Sequence, residues 1–334
     1  MKNLLFVLAL FSFALTATAQ KMITGNIFQS NDSTALEAVS VYYDGTNIGT
    51  STNKNGAFSI QRYPGEATLV ISFLGYKTKM ISISPNISGL LPPMYLEQQQ
   101  EELAEVILEP DPWSRRKKLA IFRREYLGNT PEAKKVKIKN EEVLRLYYSP
   151  STEKLTAVAT EPLIISNRFL GYNVRYELEN FTVKFSTGSS GLRFTHMVLY
   201  QGFSYFSELK NRTRKKHLKN RERTYTGSSL HFMRSLSQKS LAENNFRIFH
   251  DRFQVPPYKH FNFNLTEEGM EISLLADKLS ILYGELEQSG IQATSPFLID
   301  HFGNHTPPVS VLFSGEMSTK RISHLLPLNY NLEK

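Results

Sequence analysis

The densest group of side chains that could do chemistry is the segment 300–305, which reads Asp-His-Phe-Gly-Asn-His. Zinc accepts aspartate and histidine as ligands. Two histidines four residues apart share a face only on a helix, whereas Gly303, Asn304 and the following Pro307 and Pro308 indicate a turn. The sequence therefore favours a hydrogen-bonded turn over a metal site, and it predicts no bound metal and no cofactor.

Other sequence motifs of catalysis are absent, or occur as often as the serine and lysine content of the chain leads one to expect. The phosphate-binding patterns G-x-G-x-x-G and G-x-x-x-x-G-K-[ST] do not occur, nor does the G-x-S-x-G turn of serine hydrolases. Ser-x-x-Lys occurs without the Ser-Asp-Asn or Lys-Thr-Gly that would support it. The four pairs are Ser51/Lys54, Ser114/Lys117, Ser151/Lys154 and Ser207/Lys210. The sequence contains no cysteine, which excludes a thiol nucleophile and thiolate metal ligands. We therefore predict no catalytic residue.

The most charged segment is a run of cations between positions 210 and 223. Its eight lysines and arginines are Lys210, Arg212, Arg214, Lys215, Lys216, Lys219, Arg221 and Arg223. On a helix these cations fall on opposite sides, with Leu218 as the only apolar residue, so we expect no amphipathic helix lying in a membrane. Two interpretations remain open. The run is either a solvated arm or a binding segment for anionic lipid headgroups or an acidic partner.

The first 19 residues have the features of a secretory signal. Lys2 precedes an apolar run from Leu4 to Leu15, and Ala17-Thr18-Ala19 supplies the small residues of a cleavage site. We expect a mature chain that begins at Gln20. No later stretch reaches 18 apolar residues, so no transmembrane helix is expected.

Export also limits the partners that a net charge of +8 can suggest. A basic protein invites a nucleic-acid interpretation, but outside the cytoplasm the abundant anions are lipid headgroups, acidic glycans and acidic proteins. The charge therefore either serves solubility or fits an envelope protein, an anionic lipid surface or an acidic glycan as partner, and no nucleic acid is expected. The oligomeric state stays open.

Residues 20–97 alternate in the manner of short strands. Val39, Val41 and Tyr43 lie on one face and Ser40 and Tyr42 on the other. Turn dipeptides separate such segments, and they are Asp44-Gly45, Asn55-Gly56 and Pro64-Gly65. About seven strands in this length predict a β-sandwich.

The segment 44–58, DGTNIGTSTNKNGAF, is similar to the pattern G-T-x-x-G-T-x-T-(D/N)-x-x-G-x-F, and Phe73-Leu74-Gly75-Tyr76 resembles the strand end that follows it. Both resemble the carboxypeptidase regulatory-like domain that is common in exported and outer-membrane proteins of the Bacteroidetes type. The resemblance implies a transthyretin-like sandwich without catalytic residues. The peptidase itself needs an H-x-x-E zinc motif, and none of the eight histidines has a glutamate three residues on.

Residues 98–110 are interpreted as a polar linker and a connecting strand. Gln98 to Glu102 is a low-complexity link, and Leu103 to Leu108 has the pattern of a strand. A similar L-x-E-V-x-V segment follows this domain in TonB-dependent transporters, although the remaining length is too short for a transporter barrel. The strand either completes the sandwich or adds to a partner's sheet.

Residues 111–334 are predicted to form an α+β domain with a largely antiparallel sheet. Asp111 is expected to cap a helix that has Pro112 in its first turn and ends at Gly128. Strands are expected across 136–206 and again from Phe246, with helices between Leu209 and Leu241. The aromatic residues, 12% of the chain, are assigned mainly to the core, with a sugar-stacking surface as the alternative.

The function that fits these features is a non-enzymatic exported protein that binds a partner in the periplasm or at the periplasmic face of the outer membrane. The alternative is a glycan- or peptide-processing enzyme whose site lies in the C-terminal region. A pocket with converging buried acids or histidines favours the enzyme, whereas a basic or aromatic face favours binding.

Overall fold

The computed structural model describes residues 22–63, 65–84, 86–99, 109–210 and 213–332. The protein is mainly β, as the sequence predicts, with 44% strand and 16% helix. The expected signal segment, Gln20, the strand expected at Leu103–Leu108 and the side chain of Arg212 lie outside the described residues.

The predicted seven-stranded sandwich is present. Two sheets form it, one with the order β4-β1-β7 and one with the order β3-β2-β5-β6. Every strand pair is antiparallel except β1 with β7. The strands are β1 Met22–Gln29, β2 Ser40–Tyr43, β3 Gly49–Ser51, β4 Ala57–Gln61, β5 Ala67–Ser72, β6 Lys79–Ile83 and β7 Met94–Leu96.

The side chains on both faces of strand β2 are buried, which the sequence does not predict. Val41 and Tyr43 point into the sandwich core, as expected. Tyr42, on the opposite face, is also buried, because its ring contacts Tyr205 at 5.3 Å between centroids. The outer face of this sheet is therefore covered by the C-terminal region rather than by water.

The described part of the C-terminal region contains three antiparallel sheets where the sequence predicts one. The six-stranded sheet has the order β8-β11-β12-β10-β9, with β13 on the other side of β12. Its strands are β8 Val136–Ile138, β9 Leu144–Ser149, β10 Lys154–Ala159, β11 Leu163–Asn167, β12 Tyr172–Thr187 and β13 Arg193–Glu208. Strands β12 and β13 form a long antiparallel hairpin inside the range 136–206 where strands are expected.

Two smaller sheets follow, with the orders β15-β14-β18-β19-β22 and β16-β17-β20-β21. Strands β17 and β18 follow each other in the chain but belong to different sheets. The strands are β14 Phe246–His250, β15 Phe253–Val255, β16 Phe261–Leu265, β17 Met270–Leu274, β18 Leu279–Tyr283, β19 Glu287–Ala293, β20 Phe297–Ile299, β21 His305–Thr306 and β22 Val311–Gly315. The α-helices of the region are α1 Arg115–Leu127, α2 Lys215–Tyr225, α3 Ser229–Ser237 and the single turn α4 Glu316–Thr319.

Helix α1 corrects one expectation. It begins at Arg115, because Ser114 accepts a hydrogen bond from the Lys117 amide and caps the helix. Asp111 was expected in that role, but its carboxylate instead accepts from the amides of Trp113 and Tyr148, at 2.9 and 3.0 Å. The carboxylate thus connects the segment that precedes the helix with strand β9. The predicted end at Gly128 is confirmed.

Phe302, from the turn after β20, contributes to the core of the sandwich. Its ring stacks on Tyr63 with 4.3 Å between centroids and is almost fully buried. The sandwich core is otherwise formed by buried residues between Ile23 and Leu96. One side chain of the C-terminal region therefore packs into the N-terminal core.

We predict that Phe302→Ala lowers the free energy of unfolding by about 3 kcal/mol, because it leaves a cavity between the two regions. Urea unfolding followed by tyrosine fluorescence measures the change. Phe253→Ala is the matched control, since Phe253 is 78% exposed, and it should change stability by less than about 0.5 kcal/mol. Equal effects of the two substitutions would contradict the assignment of Phe302 to the core.

Candidate anion-binding face

The basic run predicted from the sequence is divided by helix α2 into a buried and an exposed part. Arg221 belongs to the buried part. Its Nη1 and Nη2 atoms each donate to a carboxylate oxygen of Glu208 at 2.8 Å, and its Nε donates to the Leu170 carbonyl, also at 2.8 Å. The guanidinium lies 3.6 Å from the centroid of the Tyr172 ring. Arg221 is therefore a structural residue that holds the helix on the sheet.

His217 and Thr224 share the buried side of α2 with Arg221. His217 packs against Gly171, where φ is +79° and a Cβ atom would lie 2.3 Å from the imidazole Nδ1. Burial, with the nearby cations Lys216, Arg221 and Arg214, lowers the pKa of His217. The sequence of this helix is polar on all sides, and the side that is buried consists of polar side chains. The segment 169–172 forms the site against which that side packs.

The other cations of the run remain at the surface. Arg214, Lys215, Lys216 and Lys219 are exposed, and within the described ranges none of them forms an ion pair. Lys210 is exposed at the end of β13. Arg223 pairs with Glu132 at 3.4 Å. The side chain of Arg212 is outside the described residues.

A second cationic segment, which the sequence analysis missed, lies beside the first. Lys135 approaches the Phe169 ring to 5.8 Å, and Arg223 approaches the same ring to 5.9 Å. The amide of Arg168 donates to the Lys135 carbonyl, which places that arginine at the same edge. The only signal in the sequence was Lys-Lys-Val-Lys-Ile-Lys at 134–139, whose proximity to α2 depends on the tertiary structure.

Lys216, Lys219 and Arg223 lie on the side of α2 that faces Phe169, since residues three and four apart are neighbours on a helix. We define the basic face as these three residues together with Lys134, Lys135 and Arg168. Only Arg223 of the six has an ion-pair partner among the residues that the structure describes. The face therefore concentrates positive charge from three separate segments of the chain.

A polar cluster of different character joins the sandwich to the six-stranded sheet. Glu177 accepts hydrogen bonds from the hydroxyls of Tyr42 at 2.9 Å and Thr78 at 2.5 Å. Asp44 accepts from the Ser204 amide at 2.8 Å. Burial, assisted by the nearby carboxylates Glu179 and Glu177, raises the pKa of Asp44 to about 6. These contacts position the two regions against each other.

A cleft of about 320 Å³ lies next to this cluster. Among its lining residues are Phe73, Tyr76, Thr78, Glu177 and Glu179. Burial and the neighbouring Glu177 raise the pKa of Glu179. Both oxygens of Glu177 are already occupied by the hydroxyls that join the two regions.

The segment 300–305 forms the predicted hydrogen-bonded turn. Asp300 accepts from the amides of Phe302 and Asn304, both at 2.9 Å. The His301 ring contacts Tyr63 and Phe302 in tilted orientations, whereas His305 lies near Phe297 and Phe313 on other elements. Across the described ranges, no group of three or more histidine and acidic side chains is placed to hold a metal ion.

Residues 23–108 match the family model of the CarboxypepD_reg-like domain. The sandwich is a carboxypeptidase regulatory-like domain. This confirms the resemblance drawn from 44–58 and 73–76, and the match continues past residue 97. No helix among the described residues is long and apolar enough to cross a membrane.

Two relatives are TonB-dependent receptors of Formosa agariphila. Receptor P3 is 28% identical over 110 residues and receptor P39 is 32% identical over 109 residues, which is 32% of this chain in each case. The match spans 10% of either receptor. Among solved structures, a DUF3823 family protein from Bacteroides ovatus is 13% identical over 58% of this chain and 83% of that one, with a TM-score of 0.19. A TM-score this low supports no structural argument.

We predict that Arg221→Gln lowers the free energy of unfolding by about 2–4 kcal/mol, because it leaves Glu208 and buried carbonyls without their partner. Lys219 lies on the exposed side of the same helix, so Lys219→Gln should change the free energy of unfolding by less than about 0.5 kcal/mol. Urea unfolding of both variants tests this difference. Similar values for the two would mean that Arg221 does not hold the helix in place.

We also predict a pH-dependent effect of Asp44→Asn. The folded-state pKa of about 6 exceeds the unfolded value near 3.8, so the proton stabilises the folded state fully below about pH 3.8. That contribution is lost as pH rises through about 6. The variant stays neutral, so its stability relative to wild type should increase by on the order of 1–3 kcal/mol from pH 4 to pH 7.

Thermal unfolding at half-unit pH steps measures this trend. The matched control is Asp277→Asn, at an exposed position in the turn between β17 and β18. A stability difference between Asp44→Asn and wild type that is constant from pH 4 to pH 7 would contradict the prediction.

Proposed function

We propose that this chain is an exported, non-enzymatic protein of the cell envelope that docks on anionic phospholipid headgroups through the basic face. The observation that carries the proposal is that Lys135 and Arg223 approach the same Phe169 ring from two segments. The Arg168 amide is bonded to the Lys135 carbonyl beside them. An envelope-associated β-sandwich protein is the broader assignment that the domain and its relatives support.

Helix α2 is fixed to the protein by its buried side, and this makes the basic face suitable for binding a charged surface. Like charges this close repel each other, and an anionic partner relieves that repulsion. Arg221 and His217 hold the helix from beneath. The backbone that carries Lys216 and Lys219 is therefore anchored, although neither lysine has an ion-pair partner among the described residues. Each lysine or arginine near an anionic membrane contributes about 1 kcal/mol of binding free energy.

The composition of the basic face favours electrostatic docking over insertion. Leu218 is the only apolar residue from Lys215 to Arg223, and it is about half exposed. A single leucine offers little area for burial among acyl chains, in contrast to the wide apolar side of an interfacial amphipathic helix. Binding that depends on charge should therefore weaken strongly with salt.

A structural feature that favours the enzyme alternative is the cleft lined by Glu177 and Glu179. Glu177 is less suited to proton transfer because both of its oxygens bind hydroxyl groups between the two regions. The cleft also lies between the sandwich and the six-stranded sheet, and the Glu177 carboxylate holds these two parts in position. We therefore place the function on the basic face.

The decisive experiment is co-sedimentation with vesicles of neutral phosphatidylcholine alone or mixed with anionic phosphatidylglycerol. We expect binding only to the anionic vesicles. It should be lost at 1 M salt, where the Debye length falls to about 3 Å from about 10 Å at 0.1 M. The triple variant Lys135→Gln/Lys216→Gln/Lys219→Gln should bind at least tenfold more weakly.

The matched control removes three exposed lysines from elsewhere, as Lys154→Gln/Lys259→Gln/Lys278→Gln. It has the same net charge as the test variant and should bind nearly as well as wild type. Equal losses in the two triple variants would show that net charge, and not the basic face, determines binding. Absence of binding, or capture by an acidic protein or glycan alone, would overturn the lipid assignment.

A further inference from the structure

Within the described residues, β13 and β22 are among the edge strands of the C-terminal region, and each has one side that pairs with no other strand. Strand β13 pairs with β12, and its other edge meets the described chain only at the bridge between Tyr205 and Thr46. Strand β22 is the last strand of its sheet and pairs with β19. Natural proteins usually cover or interrupt such edges, because unpaired amides and carbonyls invite a further strand.

A cleft of about 380 Å³ lies between these two edges. The residues 198–200 of β13 line one side of it, and 311–313 of β22 line the other. Side chains alternate between the faces of a strand, so a cavity that touches three consecutive residues runs along the strand edge. The backbone groups of both strands therefore border the cleft.

The remaining walls combine apolar side chains with the uncharged polar residues Thr224, Ser228, Ser229, Asn304 and Ser318, and the ionisable groups are all basic. Leucine and methionine side chains of α3, α4 and the C-terminal segment line the cleft, and no aspartate or glutamate is among its described lining residues. The basic groups are Lys320, Arg321, His305 and His324. Burial lowers the pKa of His324 to about 4 and also lowers the pKa of His305, so both imidazoles are neutral at pH 7.

Lys320 and Arg321 supply the positive charge of the cleft. The Nζ atom of Lys320 is 2.9 Å from Glu287. Arg321 has no ion-pair partner among the residues that the structure describes. A free guanidinium beside an apolar cleft is suited to a carboxylate, which it can bind through two parallel hydrogen bonds.

We propose that this cleft binds an extended, apolar segment of a partner protein that carries an acidic side chain. The segment adds a strand to the edge of β13 or β22, places alternate apolar side chains in the cleft and presents its carboxylate to Arg321. Strand addition of this kind obtains affinity from backbone hydrogen bonds and specificity from the pockets for alternate side chains. An acyl chain fits the apolar walls but offers nothing to the strand edges.

The cleft shares no lining residue with the basic face, so the two binding activities can fail independently. The test uses an array of nine-residue peptides that alternate Thr with Val, Leu or Phe and end in Glu or in Gln. Fluorescence anisotropy with the full-length protein should find Glu-ended members that bind. N-methylation of alternate amides in the same peptides should weaken binding at least tenfold, because it removes the backbone donors.

Variants of the protein assign the site. Arg321→Gln should weaken binding of the Glu-ended peptides at least fivefold and remove their advantage over the Gln-ended ones. Leu312 borders the cleft and is 36% exposed, so Leu312→Glu should fold and repel an acidic peptide, whereas its matched control Leu312→Lys should bind it. Unchanged near-ultraviolet circular dichroism confirms folding of each variant.

Three results would overturn the proposal. One is that no member of the array binds. Another is binding that is insensitive to N-methylation and to both Leu312 variants. A third is occupation of the cleft by a fatty acid or by a second copy of this chain, detected by competition with the labelled peptide or by self-association that Leu312→Glu abolishes.

Discussion

The buried guanidinium of Arg234 is the contact on which the arrangement of the regions depends. It lies on helix α3 and donates to the carbonyls of Phe302, Leu328 and Tyr330, at 2.7, 2.6 and 2.8 Å. Phe302 packs in the sandwich core, and the Leu328 amide donates to the Gly45 carbonyl. One side chain therefore holds both the turn and the C-terminal segment that contact the N-terminal domain.

A second set of polar contacts supports the same junction from the six-stranded sheet. Glu177 binds Tyr42 and Thr78, and Arg175 donates to Ser72 at 2.9 Å. Buried polar groups are costly unless their hydrogen bonds are satisfied. The junction therefore requires one relative position of the two regions, since a shift would leave these groups without partners.

Buried arginines have a different role from exposed lysines in this protein. Arg221 and Arg234 use their planar groups to satisfy several carbonyl or carboxylate oxygens at once, which a lysine cannot do. The exposed cations next to α2 are mostly lysines without partners. This division separates the groups that form the structure from those that are available to a partner.

The sequence alone was sufficient for the N-terminal domain. Its strands alternate with a period of two and are separated by turn dipeptides, and the pattern in 44–58 lies within the range that matches the domain family. It was also sufficient for the hydrogen-bonded turn at 300–305, because glycine, asparagine and proline have local conformational preferences that need no distant contact. The basic run from 210 to 223 was recognisable from its eight lysines and arginines.

Only the tertiary structure decided which of these cations are available. Arg221 and Lys219 are two residues apart and have the same charge, yet one is buried against Glu208 and the other is exposed. That difference depends on 169–172, about fifty residues earlier. The proximity of Lys135 to Arg223, the burial of Tyr42 and the cleft between β13 and β22 likewise result from long-range pairing. Local sequence patterns encode periodicity and turns, but they do not encode which distant surfaces meet.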